Sequence, residues 1–146
     1  MTHTFLFEPA IWMASGTFWR GDGEPMEAQG RIDITHRDPC WLLAGTLKVL
    51  GSPPVEFVHA YCIEPPSRPG ATMKWTSENA TLGKLHGTYS VVGTCIICVF
   101  HCHDSKYHGA EHFEQLDTNS YRSAGVLFLE DRALSSWQMT WRRQQQ

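Results

Sequence analysis

The chain has 146 residues, the usual size of one domain, and we predict a single domain over residues 1–146. A net charge of −3 leaves no basic surplus to neutralise phosphates, so the composition argues against nucleic-acid binding. No run of about 18 apolar residues occurs, so we expect neither a membrane-spanning helix nor a membrane partner.

The first residues are apolar but lack the basic region of a targeting peptide, and Glu8 and Pro9 interrupt them. We interpret them as mature sequence, in which Phe5–Ser15 forms a short helix or an irregular plug at one end of the fold. The five cysteines lack the spacing of a small disulfide-rich domain. They favour reduced thiols and a cytoplasmic location.

Alternation of polar and apolar residues with a period of two runs through most of the remaining chain. It is clearest in Met26–His36, which predicts a strand with one wet face and one buried face. Similar segments follow at roughly ten-residue spacing, separated by Gly, Pro, Asp and Asn turns. The predicted strands are Gly16–Asp22, Met26–His36, Trp41–Leu50, Val55–Glu64, Thr72–Asn79, Leu85–Val92, Thr94–His103, Tyr107–Leu116, Tyr121–Glu130 and Leu134–Arg142.

The links between the predicted strands are short, which favours an antiparallel meander. A meander of about ten strands can close on itself, and closure removes the exposed strand edges. We therefore predict an all-β fold, an antiparallel up-and-down β-barrel of about ten strands with a short N-terminal helix or plug. A two-sheet sandwich is the alternative.

Two short motifs at the ends of the chain resemble those of calycin barrels. The run Gly16–Gly23 (GTFWRGDG) is similar to the opening strand of lipocalins, fatty-acid-binding proteins and nitrobindin-like proteins, and Trp137–Arg143 is similar to their last strand. Ser135 and Ser136 stand near the place of the haem-ligating His of nitrobindin-like proteins, so haem does not follow from the resemblance. The resemblance implies an apolar ligand held inside a barrel, and no single chemistry.

The predicted hairpin Thr94–Glu114 concentrates three of the five cysteines and four of the eight histidines. Cys95 and Cys98 have the CxxC spacing, but on an extended strand they point to opposite faces. On a strand, this spacing favours the interpretation that the two cysteines are small packing residues and do not bind one zinc ion together.

The histidines of the same hairpin allow two interpretations. His101 and His103 share one strand face, and His108, His112 or Glu114 of the neighbouring strand can supply a further metal ligand. The other interpretation is a polar rim around the mouth of the barrel with no metal.

His59 and Tyr61 share a strand face with Phe57, so an inward orientation brings an imidazole and a phenol into an apolar interior. A buried His59 needs a hydrogen-bonding partner, such as Tyr89, Glu111 or Glu114. Such a histidine is either a satisfied core residue or a group that moves a proton or contacts a ligand. We predict that a ligand contacts His59, Tyr61, Trp75, Tyr89, His101, His112, Trp137 and Met139.

These features favour a binding module for a small hydrophobic or aromatic molecule, with the cofactor unknown. One alternative is a cofactor-free lyase or isomerase in which His59, with Tyr61, or a histidine of the Thr94–Glu114 hairpin moves a proton. The other alternative is a His-based metal site on the Thr94–Glu114 hairpin. The sequence leaves catalysis open, and it does not separate a monomer from a homodimer.

Overall fold

The computed structural model describes residues 2–145, which form ten antiparallel strands. In chain order they are β1 (Ala10–Arg20), β2 (Met26–His36), β3 (Trp41–Val49), β4 (Val55–Ile63), β5 (Met73–Asn79), β6 (Gly83–Val92), β7 (Cys95–Cys102), β8 (Tyr107–Asp117), β9 (Ser120–Leu129) and β10 (Arg132–Arg143). Each strand pairs with the next one, and β10 pairs with β1 to close the barrel. The prediction of an all-β, antiparallel up-and-down barrel is therefore confirmed.

The boundaries of the strands follow the alternation in the sequence. β2 begins and ends at the predicted residues. β1 is longer than predicted and begins at Ala10 instead of Gly16. The reason is that Trp12 and Ala14 are buried and already alternate with exposed side chains, which continues the strand pattern toward the N-terminus.

The predicted short N-terminal helix is not found. Residues 2–145 contain no helix, and therefore none long and apolar enough to cross a membrane. A single turn closes where the amide of Glu8 donates to the carbonyl of Thr4 at 3.0 Å, and Leu6 has a positive φ of 73°. A residue in this left-handed conformation interrupts a right-handed helix, so the segment stays irregular.

This irregular N-terminal segment plugs one end of the barrel. Phe5 and Leu6 are completely buried. The Phe5 ring stacks on Phe113, with ring centroids 4.6 Å apart, and meets Trp12 edge-on. Hydrogen bonds hold the same segment, since the phenol oxygen of Tyr121 accepts from the amide of Thr4 at 3.1 Å. The aromatic packing and these bonds fill the plugged end of the interior.

Glycines on the inner face make room for large rings of the neighbouring strand. Gly87 lies opposite Trp75, Gly109 lies opposite Phe100, and Gly125 lies opposite Trp137. In each pair a Cβ on the glycine would overlap the ring. These glycines therefore let aromatic rings lie flat along the barrel wall, which leaves space at its centre.

One structural feature differs from the expectation of five reduced thiols. Cys40 and Cys62 form a disulfide between the residue that precedes β3 and the end of β4. The pairing of β3 with β4 places the two Cα atoms 5.7 Å apart, within the usual range for such a bond. The other three cysteines, Cys95, Cys98 and Cys102, are free.

Candidate functional site

A cavity of about 200 Å³ lies inside the barrel. It extends from Phe5 of the plug to Leu82 in the turn between β5 and β6, at the opposite end of the barrel. Its walls are predominantly apolar. They include Phe18, Ile32, Leu43, Leu47, Phe57, Leu85, Phe100, Phe113, Leu127, Met139 and Trp141.

A small number of polar side chains face this apolar space. Thr46, Asn79, Thr81 and Ser135 supply polar groups that do not titrate, and the titratable groups are His59 and Tyr61 from β4, Tyr89 from β6, Cys98 from β7 and Glu111 from β8. They lie inside because each takes an inward position in the alternation of its strand. Few polar groups in a mostly apolar cavity is the usual composition of a small-molecule site.

Glu111 is the buried acid of this group. Its carboxylate oxygen Oε2 accepts a hydrogen bond from Nε1 of Trp137 at 2.7 Å. Burial raises the pKa of Glu111 to about 7, and the hydrogen bonds from Trp137 and Ser123 partly offset this rise. At neutral pH the carboxyl group is therefore close to half protonated and can either donate or accept a hydrogen bond.

The other polar groups of the cavity are uncharged at neutral pH. Burial raises the pKa of the Tyr61 phenol and of the Cys98 thiol well above their usual ranges, and it does the same for Tyr89. The nearby charge of Glu111 adds to all three rises, which indicates that these groups surround one region of the cavity. Burial lowers the pKa of His59, so its imidazole is neutral.

Most of the predicted ligand contacts come together in this cavity. His59, Tyr61, Tyr89, Trp137 and Met139 line it. Trp75 is buried behind them, where its ring stacks on Tyr61 at a centroid distance of 4.1 Å.

His101 and His112 lie elsewhere, on the outer face of the barrel. On β7 the inward positions belong to Cys98 and Phe100, so the alternating residues Val99 and His101 point outward. His101 is exposed, and its ring stacks on His86 of β6 and His108 of β8 at centroid distances of 5.7 and 6.2 Å. Of the predicted histidine rim, His101 and His108 thus form a row with His86 on the outer wall, separate from the cavity.

Glu111 is the functional candidate that sequence reasoning underrated, since it entered only as a partner for His59. A signal was present, because Glu111 shares its strand face with Gly109 and Phe113, which are small or apolar. A lone acid on such a face predicts a buried carboxyl group. What the sequence does not show is that the indole of Trp137, on β10, lies next to Glu111 and donates a hydrogen bond to it.

The wall of the barrel has a weakly paired seam beside the polar groups. β4 and β5 pair only through Tyr61–Ile63 and Trp75–Ser77, so the first residues of β4 lack partners on β5. A groove on the outer surface follows this seam, and it shares Leu43, Tyr61 and Leu85 with the inner cavity. The seam therefore brings the outer surface close to the polar side of the cavity.

One group of potential metal ligands occurs among the described residues. It comprises Cys95, His112 and Glu114, which lie outside the cavity on β7 and β8. The cavity itself contains one carboxyl group, Glu111, and one imidazole, His59.

Comparison with known proteins leaves the ligand to be inferred from the site. No protein-family model, curated protein or solved structure matched the chain. The closed ten-stranded antiparallel barrel is established, and its relation to the calycins remains a resemblance of architecture and of two short terminal motifs.

Proposed function

We propose that this protein binds a small aromatic or apolar molecule inside the barrel and anchors it through Glu111. The observation that carries the proposal is a buried carboxyl group that faces a mostly apolar cavity. A buried acid is costly for folding unless it is paired or neutralised. Groups with strongly perturbed pKa values in a cleft are therefore candidates for functional roles.

The size of the cavity limits the ligand. At about 200 Å³ it is slightly larger than the apolar cavity of about 150 Å³ that accommodates benzene in a well-studied protein. It is smaller than the pockets of roughly 300–1,000 Å³ that hold drug-sized ligands. We therefore expect a ligand with one aromatic ring or a similar compact skeleton, and not a long acyl chain or a porphyrin.

The polar side of the cavity defines the other half of the ligand. Glu111 is near half protonated at neutral pH, so its carboxylate form accepts a hydrogen bond from a hydroxyl or amine. The neutral Tyr61 and Tyr89 phenols offer donors on the same side. A phenol or an aromatic amine satisfies these groups while its ring packs against Phe18, Phe57 and Met139.

The weakly paired seam between β4 and β5 is the access route that we propose for this ligand. Opening it breaks few backbone hydrogen bonds, because the two strands pair over three residues each. His59 and Tyr61 stand next to the seam on β4, so they would meet the ligand first.

A titration of tryptophan fluorescence, supported by native mass spectrometry, tests the proposal. We expect single-ring phenols and amines to quench the tryptophan emission, since Trp137 and Trp141 line the cavity, and a long-chain fatty acid at the same concentration to have no effect. Glu111→Leu keeps a similar volume and should weaken phenol binding about tenfold, since one hydrogen bond to a charged group is lost. If none of the phenols and amines binds, or if they bind Glu111→Leu as tightly as the wild-type protein, Glu111 does not anchor the ligand.

His101→Ala is the matched control for this titration. The residue is exposed on the outer wall, so its removal should leave the affinity for phenols unchanged. Loss of binding in this variant would instead support the histidine rim as part of the ligand site. Circular dichroism of both variants separates a lost contact from a lost fold.

A second candidate function, a cofactor-free lyase or isomerase, is favoured by one observation. The pKa of Glu111 is about 7, which suits a general acid or base at neutral pH. In this reading Glu111 moves the proton, and the neutral His59 and Tyr61 hydrogen-bond the substrate. Mass spectrometry of the same phenols and amines, incubated with the protein over time, tests for conversion. Glu111→Gln should stop the conversion while the compound still binds.

A further inference from the structure

Three side chains of metal-binding type converge on the outer face of the hairpin formed by β7 and β8. Cys95 lies directly opposite Glu114 in the antiparallel register, and His112 lies two residues before Glu114 on the same face. The thiol sulfur of Cys95, a ring nitrogen of His112 and a carboxylate oxygen of Glu114 are all within 4.8 Å of one another. Direct and diagonal cross-strand neighbours are the pairs whose side chains can meet on a sheet.

We propose that Cys95, His112 and Glu114 form a zinc site. Zinc accepts sulfur, nitrogen and oxygen donors and binds them at about 2.0–2.3 Å in a tetrahedron. Donor atoms on such a tetrahedron are roughly 3.5 Å apart. The three atoms therefore need to approach one another by only about 1 Å, which rotation of these partly exposed side chains can supply.

The chemistry of the donors selects zinc over the common hard cations. A thiolate and an imidazole are poor ligands for magnesium and calcium, which prefer oxygen. The three protein ligands leave a fourth position for water, because the group faces outward from the barrel wall. An outward-facing thiol beside two further donors also differs from Cys98 and Cys102, whose side chains are buried in the core.

The site lies where a metal would reinforce the plug. Cys95 follows the turn that contains Gly93, whose carbonyl oxygen is 2.9 Å from Nε2 of His3. Gln115, next to Glu114, donates from its side chain to the carbonyl of Thr2 at 2.9 Å. Zinc would cross-link β7 and β8 at the end of the barrel that holds the N-terminal segment.

This inference does not depend on the ligand proposed for the cavity, and the metal alone tests it. Purified protein is treated with a chelator, dialysed and titrated with Co²⁺ and then with Zn²⁺, with calorimetry for stoichiometry. We expect one equivalent to bind, a thiolate-to-cobalt charge-transfer band to appear, and zinc to displace the cobalt. Zinc at about 100-fold above Kd should raise Tm by roughly 5–10 °C.

Variants of the donor residues identify the site. Cys95→Ser should abolish the charge-transfer band and weaken zinc binding by more than about 100-fold, since even the outer-shell partners of a metal contribute 10–100-fold. Glu114→Gln should weaken binding while it preserves the band. The double replacement of His101 and His103 by Ala is the matched control at the other end of the hairpin, and it should change neither signal.

Three results would overturn the proposal. They are the absence of stoichiometric binding by the wild-type protein, an unchanged band in Cys95→Ser, and loss of the band in the control. The last of these would assign the metal to the histidine row. Because all the replaced side chains are on the outer wall, circular dichroism should show the same fold for each variant.

Discussion

The inner and outer walls of the hairpin formed by β7 and β8 carry the same kinds of side chain and offer different chemistry. On the inner wall, Cys98 and Glu111 have pKa values raised by burial, which keeps the thiol neutral and the carboxyl group near half protonated. On the outer wall, Cys95 and Glu114 lie beside His112, close enough to share one ion. The two cysteines are three residues apart, as are the two glutamates, and this odd spacing places a candidate ligand anchor and a candidate metal site on opposite faces of the strands.

The largest effect that we expect comes from filling the inner wall. A Cβ at Gly109 would overlap the ring of Phe100 and the carbonyl oxygen of Val126, and the latter cannot move without shifting the backbone. Gly109→Val should therefore lower the free energy of unfolding by about 3 kcal/mol or more. Urea denaturation followed by fluorescence measures this loss.

The adjacent residue on the outer wall gives the matched comparison. Ala110→Val adds a β-branched side chain next to the exposed Val99, and it should change the free energy of unfolding by less than about 0.5 kcal/mol. Equal destabilisation by the two variants would mean that the two faces do not differ in packing.

The second effect concerns the charge of Glu111. Its pKa is about 7 in the folded protein, above the ordinary value of 4.5, so the folded state binds the proton more tightly than the unfolded state. Both states are protonated below pH 4.5, and stability then falls as the pH rises from 4.5 to 7. The loss should reach about 2 kcal/mol, with allowance for partial access of the carboxyl group to the cavity.

Glu111→Gln should remove this pH dependence and make the protein more stable than wild type at pH 8, with little difference at pH 4. Glu114→Gln, an outer-wall carboxyl group on the same strand, should leave the wild-type profile in place. Urea unfolding across this pH range checks both variants. If stability changes with pH in the same way in the wild-type protein and in Glu111→Gln, the pKa of Glu111 is not raised.

The smallest effect comes from the indole that holds Glu111. The hydrogen bond from Nε1 of Trp137 favours the carboxylate, so Trp137→Phe should raise the pKa of Glu111 further. Carbon-13 NMR of labelled glutamate follows the titration directly. Trp19→Phe, on the outer face of β1, is the control and should leave the pKa of Glu111 unchanged. An equal change of this pKa in both variants would mean that the hydrogen bond from Trp137 is not its cause.

Strand positions and inward orientation were largely predictable, because alternation with a period of two is a local property of the chain. Met26–His36 illustrates this, since its predicted bounds are those of β2. The same alternation separates Cys95 from Cys98 on opposite faces of β7. It also places His59 and Tyr61 on one face of β4, which the barrel turns inward.

The sequence by itself thus determined the number of strands, the short links between them and the side chains that share a face. Only the tertiary structure decided the partners that lie far apart in the chain. It brought Trp137 to Glu111, Cys40 to Cys62, and the N-terminal segment into the end of the barrel in place of a helix. The physical reason is that alternation depends on residues adjacent in the sequence, whereas these contacts depend on the register and closure of ten strands.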